Sequence, residues 1–162
     1  MVDITIDSLG SAGDGVGRLP SGEVVFVPGG IPGDKVSIRL DDKRKQVQHG
    51  TIRSIIEPSP DRVVGRCQIE NCGGCGLSHL RDEAELSFKQ ERIRETMRRV
   101  GGVTWDNPID IRRVGDSWNY RHRVRLHAQW IEGAWRIGLF ARRSRTLAGF
   151  GGCSVLWPEL ND

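Results

Sequence analysis

The sequence predicts a β-rich chain in which a small five-stranded β-barrel precedes an α+β domain. Residues 2–7 alternate strictly between apolar and polar side chains, which is typical of a half-buried strand. Further short strand-like segments, separated by glycine and proline, continue through the first third of the chain. One long helical pattern at 82–100 is followed by a second alternating segment at 120–130. We therefore predict two domains, 1–58 and 59–162.

The barrel is predicted from strands at 2–7, 23–27, 36–40 and 47–56, with a glycine-dense segment at 10–17 interpreted as a turn system. With about 58 residues, such a domain closes most readily as a five-stranded barrel of the oligonucleotide-binding kind. The glycines do not indicate a dinucleotide-binding fingerprint. That fingerprint needs a helix directly after the glycines, and the next segment here is a strand.

The second domain is predicted to contain one helix and an antiparallel sheet. We expect Asp82 to cap the helix, with Glu85 in the capping-box position, and the glycines at 101–102 to end it. The strand at 120–130 is followed by a Glu-Gly turn and a second strand at 135–140.

Positive charge is concentrated at the end of the chain. Residues 112–162 carry 9 Lys or Arg against 4 Asp or Glu, which outweighs the rest of the chain and gives the net charge of +3. No apolar run approaches the length of a membrane span, and the first residues lack the pattern of a signal peptide. We therefore expect a cytoplasmic protein without a membrane partner. In that compartment clustered cysteines more often bind metal than form disulfides.

The four cysteines follow a three-plus-one pattern. Cys67, Cys72 and Cys75 are closely spaced, and 77 residues separate Cys75 from Cys153. Thiolates select zinc or iron–sulfur clusters, and structural zinc sites usually use two Cys-x2-Cys pairs. The spacing therefore favours an iron–sulfur cluster, while zinc and unliganded thiols stay open as alternatives.

A face of arginines is predicted on the strand at 120–130, because side chains alternate across a strand. Nine arginines but only two acidic residues occur at 112–145, too few for a neutral salt-bridged surface. We therefore predict RNA contacts rather than a merely solvated face. The predicted RNA-binding residues are Arg121, Arg123, Arg125 and Arg142, together with Lys43, Arg44 and Lys45 at the tip of a barrel hairpin.

Several strings resemble known RNA-modifying enzymes. GDGVGR at 13–18, VFVP at 25–28 and PGDKV at 32–36 resemble the TRAM domain, an RNA-binding barrel. CGGCGLSHL at 72–80 and CSVLWP at 153–158 extend the resemblance to the iron–sulfur RNA uridine-C5 methyltransferases, which use S-adenosylmethionine.

This resemblance implies a 4Fe–4S cluster held by Cys67, Cys72, Cys75 and Cys153, with RNA as the partner, ribosomal RNA in preference to transfer RNA. In that family a Rossmann-like domain follows this region, binds the methyl donor and carries the catalytic cysteine. We expect that domain to be absent from these 162 residues, so that the chain is an RNA-recognition portion without catalytic residues and inactive alone. We also expect a monomer. Two alternatives stay open, a non-enzymatic zinc- or iron–sulfur-binding RNA adaptor and a radical methylthiolation enzyme.

Overall fold

A computed structural model of the chain describes residues 1–43, 46–67, 69 and 71–161. It contains two compact units. The first comprises Met1–Val64 and His79–Ile111, and the second comprises Gly65–Ser78 and Arg112–Asp162. The helix therefore groups with the barrel. The predicted boundary at residue 58 would instead separate them, and it stays a prediction.

The first unit contains a closed five-stranded barrel, which confirms the predicted architecture of the N-terminal region. Its strands are β1 (Val2–Leu9), β2 (Gly15–Arg18), β3 (Val24–Val27), β4 (Lys35–Leu40) and β5 (Gln48–Glu57). They are hydrogen-bonded in the order β1-β2-β3-β5-β4, and β4 pairs with β1 to close the barrel. The β3–β5 pairing is parallel and the other pairings are antiparallel.

Alternation of side chains fills the barrel interior. Val25 and Val27 of β3 and Val36 and Ile38 of β4 are completely buried, as expected for one face of a strand. Ile6 of β1 joins the same apolar cluster. Burial of this single cluster supplies the hydrophobic stabilisation of the barrel.

One strand lies where the sequence predicts only turns, because β2 falls inside the glycine-dense segment. The glycines there allow the backbone of β2 to lie close to neighbouring backbone segments. A Cβ at Gly17 would lie 2.6 Å from the carbonyl oxygen of Thr5, and one at Gly15 would lie 2.8 Å from that of Gly30. Glycine is therefore required for β2 to pack between its neighbours.

The helix α1 (Asp82–Gly101) has nearly its predicted extent. Gly102 follows it in the left-handed region, with φ of 64°, as predicted for the helix end. The predicted cap is wrong, because Arg81 occupies the N-cap position and Asp82 is already the first helical residue. In the first turn, the negative charge of Asp82 instead interacts favourably with the positive end of the helix dipole. No helix in the described part of the chain is long and apolar enough to cross a membrane.

The second unit contains a small antiparallel sheet of β6 (His127–Ile131) and β7 (Ala134–Gly138), followed by a 3₁₀ turn at Pro158–Leu160. The predicted Glu132–Gly133 turn joins the two strands, and both residues have positive φ, as a two-residue hairpin turn of type I′ requires.

The predicted strand at 120–130 is correct only in its last third. Arg121 makes an isolated parallel bridge to Leu156, in which the Arg121 amide donates to the carbonyl of Val155 and the Arg121 carbonyl accepts from Trp157. Regular pairing begins only at His127, where β7 supplies a partner strand. A strand needs such a partner for its backbone hydrogen bonds.

Candidate cysteine cluster and arginine surface

The loop that carries Cys67, Cys72 and Cys75 is held by backbone contacts within the second unit. Cys72 forms a β-bridge with Ala141, and the amide of Gly73 donates to the carbonyl of Phe140 over 3.1 Å. This pairing brings the loop against the segment that follows β7.

Gly73 has a packing role in this contact. A Cβ at Gly73 would lie 3.0 Å from the carbonyl oxygen of Phe140 and 3.1 Å from the Cα of Arg142. The glycine between Cys72 and Cys75 therefore allows the loop to approach the following segment closely.

Cys153 lies in the apolar core of the second unit. It is buried together with Val155 and Leu156, and Cys75 and Val124 pack against the same cluster. The thiol of the distant cysteine is therefore brought to the side of the loop that carries the other three.

Asn161 holds the backbone of Cys153 from both sides. The Cys153 amide donates to Oδ1 of Asn161 over 2.8 Å, and Nδ2 of Asn161 donates back to the Cys153 carbonyl over 3.3 Å. Sequence reasoning missed Asn161, since nothing near residue 161 signals a contact eight residues back.

Electrostatics also indicate that the four thiols lie near one another. Burial raises the pKa of Cys75, and negative charge on Cys153, Cys72 and Cys67 raises it further, while Arg121 opposes the shift. Each neighbouring thiolate thus disfavours ionisation of Cys75, as expected where like charges gather. All four cysteines are free thiols.

Within residues 1–43, 46–67, 69 and 71–161, no group of three or more His, Cys, Asp or Glu side chains is arranged to hold a metal ion. The donor set is nonetheless one that a soft metal centre requires, because four thiols converge on one unit. The amide of Gly74 donates to Sγ of Cys72 over 3.4 Å. By donor chemistry the four cysteines fit an iron–sulfur or zinc centre.

The predicted arginine face is exposed, but it does not lie on a regular strand. Arg121, Arg123 and Arg125 are all exposed, on the extended segment that leads into β6. Arg142 is half-buried, and its amide donates to the carbonyl of Asn71 in the cysteine loop. The charge of Arg121 acts on Cys75, and the backbone of Arg142 contacts the cysteine loop. The predicted RNA contacts of both arginines stay predictions.

At the barrel hairpin, Lys43 forms an ion pair with Glu23, and both side chains remain partly exposed. Arg44 and Lys45 lie outside the described residues. Their predicted contacts with RNA stay predictions.

Comparison with known proteins gives the class of the first domain. Residues 1–52 match the model of the TRAM domain family. Because the closed barrel and the family match cover the same residues, the predicted TRAM domain is confirmed.

Relatives of the whole chain are larger enzymes. The chain is 32% identical over 159 residues to the 23S rRNA (uracil(1939)-C(5))-methyltransferase RlmD of Nitrosococcus oceani. This alignment covers 96% of this chain and 35% of that protein. It is 33% identical to an RNA methyltransferase of Halalkalibacterium halodurans, over 98% of this chain and 35% of that protein. The chain thus spans about a third of the length of the curated relatives it matches, and its resemblance to a portion of an RNA uracil-C5 methyltransferase is confirmed.

A solved structure shares the fold. The tRNA (uracil-54, C5)-methyltransferase of Pyrococcus abyssi, in complex with S-adenosyl-L-homocysteine, aligns with a TM-score of 0.65 and 22% identity. The alignment covers 99% of this chain and 34% of that one.

Proposed function

We propose that this chain is the RNA-binding and iron–sulfur portion of an RNA uracil-C5 methyltransferase. One observation carries the proposal. The similarity to such enzymes runs through both units, so the TRAM barrel, the four cysteines and the arginine segment occur together in one chain.

RNA is the proposed partner of the barrel and of the arginine segment. Arg123 and Arg125 are exposed, and a guanidinium group can bind a phosphate through two parallel hydrogen bonds. Phosphate contacts of this kind fix the position of the RNA and carry little sequence information. The choice of uridine would then depend on contacts with bases.

Ribosomal RNA is the first candidate substrate, because the relative from Nitrosococcus oceani is named for 23S rRNA. The structural neighbour from Pyrococcus abyssi is named for tRNA, so transfer RNA is the competing substrate. Competition between an rRNA fragment and a tRNA transcript for the 162-residue chain separates the two. Stronger displacement by tRNA would reverse the order proposed here.

The four cysteines are the proposed ligands of a 4Fe–4S cluster. Bound there, the cluster would supply a covalent link between the loop with Cys67, Cys72 and Cys75 and the distant Cys153. It would also compensate the repulsion between thiolates, which adds to the effect of burial in raising the pKa of Cys75. We assign it a structural role, because the buried position of Cys153 within an apolar cluster favours stabilisation of the unit.

Methyl transfer from S-adenosylmethionine is assigned to residues beyond these 162, since the relatives are about three times as long. The described units would position the RNA for that step. A uridine inside a folded RNA must leave its stack to be methylated, so the chain is proposed to bind an RNA segment with unpaired bases.

Binding of single-stranded RNA to the purified chain tests the proposal. We expect association that weakens linearly in log–log form as salt is added, because phosphate contacts release counterions. A non-specific polyanion such as heparin is the control for charge alone. If RNA and heparin of equal charge bind equally at every salt concentration, the chain has no RNA-specific surface and the proposal fails.

A zinc-binding RNA adaptor without a part in catalysis is the second candidate, because four thiols also satisfy zinc. Metal analysis of protein purified without oxygen discriminates the two. Stoichiometric zinc with no iron or sulfide would favour the adaptor.

A further inference from the structure

Two tryptophans face each other across the β6–β7 hairpin. Trp130 and Trp135 are register partners, and their ring centroids lie 5.5 Å apart at an interplanar angle of 74°. Trp130 is 61% exposed and Trp135 is 66% exposed. The edge-to-face contact holds the rings in place but leaves most of their faces open to solvent.

The same face of the hairpin is apolar along its length. Ala128 pairs with Ile137 next to the two tryptophans, and Ile137 is 56% exposed. Cross-strand packing of the rings stabilises the hairpin. That role needs only the contact between the rings and does not account for their exposed surfaces, which in other proteins mark interaction sites.

Charge around the hairpin indicates the chemistry of the partner. Between residues 117 and 148 the sequence has seven arginines and a single acidic residue, Glu132 at the hairpin turn. Arg136 pairs with Gln129 on the opposite face, and Nε2 of Gln129 donates to the carbonyl of Arg145 over 3.0 Å. Arg136 therefore lies on the back of the hairpin, and the hairpin belongs to a stretch of sequence with net positive charge.

A partner that suits both features must be anionic and must present flat apolar faces. Unpaired nucleotides have this combination, since each base has a π-face and each linkage has a negative phosphate. A purely apolar polypeptide surface would match the rings but not the net positive charge of this stretch of sequence. The observations therefore favour RNA over a protein partner.

We propose that Trp130 and Trp135 form a stacking platform for unpaired bases of RNA, bordered by arginines that contact the phosphates. This proposal rests on the RNA-binding function proposed above and adds a site for bases. Stacking tolerates any base, so the platform would hold single-stranded RNA without reading its sequence.

Replacement of each ring by an apolar side chain without a flat face tests the platform. Trp130→Leu and Trp135→Leu should each weaken binding of an unstructured RNA dodecamer by about 5- to 100-fold. The slope of log affinity against log salt should stay unchanged, because no phosphate contact is lost. Trp130→Phe and Trp135→Phe should retain most of the affinity, and Ile137→Ala on the same face is the matched apolar control.

Three outcomes would overturn the platform. Leucine variants that keep their thermal transition and bind the dodecamer as the wild type does would show that the rings do not stack on bases. Phenylalanine variants as weak as the leucine variants would exclude stacking as the source of affinity. Ile137→Ala as weak as the tryptophan variants would show that loss of apolar surface in general, and not loss of a flat ring, weakens binding.

RNA binding by the wild-type chain distinguishes failure of the proposed function from failure of the platform alone. If the wild-type chain itself binds no RNA at low salt, both the proposed function and the platform fail. If the wild type binds RNA and the leucine variants bind equally well, only the platform fails. Quenching of indole fluorescence by the dodecamer gives an independent readout, which should decrease in the Trp130→Phe/Trp135→Phe double variant.

Discussion

The guanidinium group of Arg62 binds the carboxylate of Asp34 through two nitrogens, with Nη2 2.5 Å from Oδ2 and Nε 2.9 Å from Oδ1. Asp34 is fully buried and also accepts hydrogen bonds from the amides of Ile31 and Ser59, each at 2.9 Å. Arg62 donates further to the carbonyl of Gly29. The segment that follows β5 is thus fastened to the barrel by a buried ion pair.

Removal of Arg62 should destabilise the barrel strongly. Arg62→Ala leaves the Asp34 carboxylate buried without its charged partner, which typically costs about 3–5 kcal/mol. The free energy of unfolding from urea denaturation measures this loss. Lys35→Ala is the matched control, because its ion pair with Glu57 is exposed and should contribute at most about 1 kcal/mol. Equal losses in the two variants would contradict the role assigned to Arg62.

Acid should remove the stabilisation of the fold that the ionised carboxylate of Asp34 provides. Burial by itself raises the pKa of Asp34, but hydrogen bonds from Arg62 and from the amides of Ser59 and Ile31 outweigh it and hold the pKa below the ordinary 3.8. Because the pKa is lower in the folded chain, the carboxylate stabilises the fold fully above about pH 4. That stabilisation disappears as the pH falls through the folded pKa. Titration of the side-chain carboxyl carbon by nuclear magnetic resonance should give a midpoint below 3.8, and a midpoint above this value would refute the assignment.

The cysteines should bind iron when the protein is purified without oxygen. We expect about four irons and four sulfides per chain, as a 4Fe–4S cluster requires. Cys153→Ser should lower this content and destabilise the second unit, because metal binding that joins distant ligands contributes to folding. Ser154→Ala, one residue away, is the control. An unchanged iron content and thermal transition in Cys153→Ser would exclude Cys153 as a ligand.

Loss of one exposed arginine should flatten the salt dependence of RNA binding. Arg123→Ala should weaken binding of single-stranded RNA and reduce the log–log slope by about 0.7, the value for one phosphate contact. Arg92→Ala on α1 removes the same charge from a helix in the other unit and should change neither quantity. If the two variants bind alike at all salt concentrations, the segment that contains Arg123 is merely solvated.

Local patterns in the sequence predicted those elements that depend only on neighbouring residues. The alternation in β1 predicted a strand, because its inward side chains fill the barrel. Gly102 marked the end of α1 because glycine readily adopts the left-handed conformation found there. The hairpin turn at Glu132–Gly133 was predicted for a similar local reason.

Contacts between residues far apart in sequence determine two features of the strands that local patterns did not predict. The segment before His127 alternates like a strand, yet regular pairing starts only where β7 lies alongside. The glycine-dense segment contains β2 because Thr5 and Gly30 approach it so closely that a side chain would not fit. Neither outcome is visible in the composition of the segment itself.

By itself the sequence determined the barrel, the helix and the three-plus-one spacing of the cysteines. Only the tertiary structure decided that Asn161 holds Cys153, that Arg62 neutralises a buried Asp34, and that the two hairpin tryptophans stay exposed. The physical reason is that propensity and periodicity depend on the chain within a few residues. Burial and hydrogen-bond partners depend instead on residues that become neighbours only after folding.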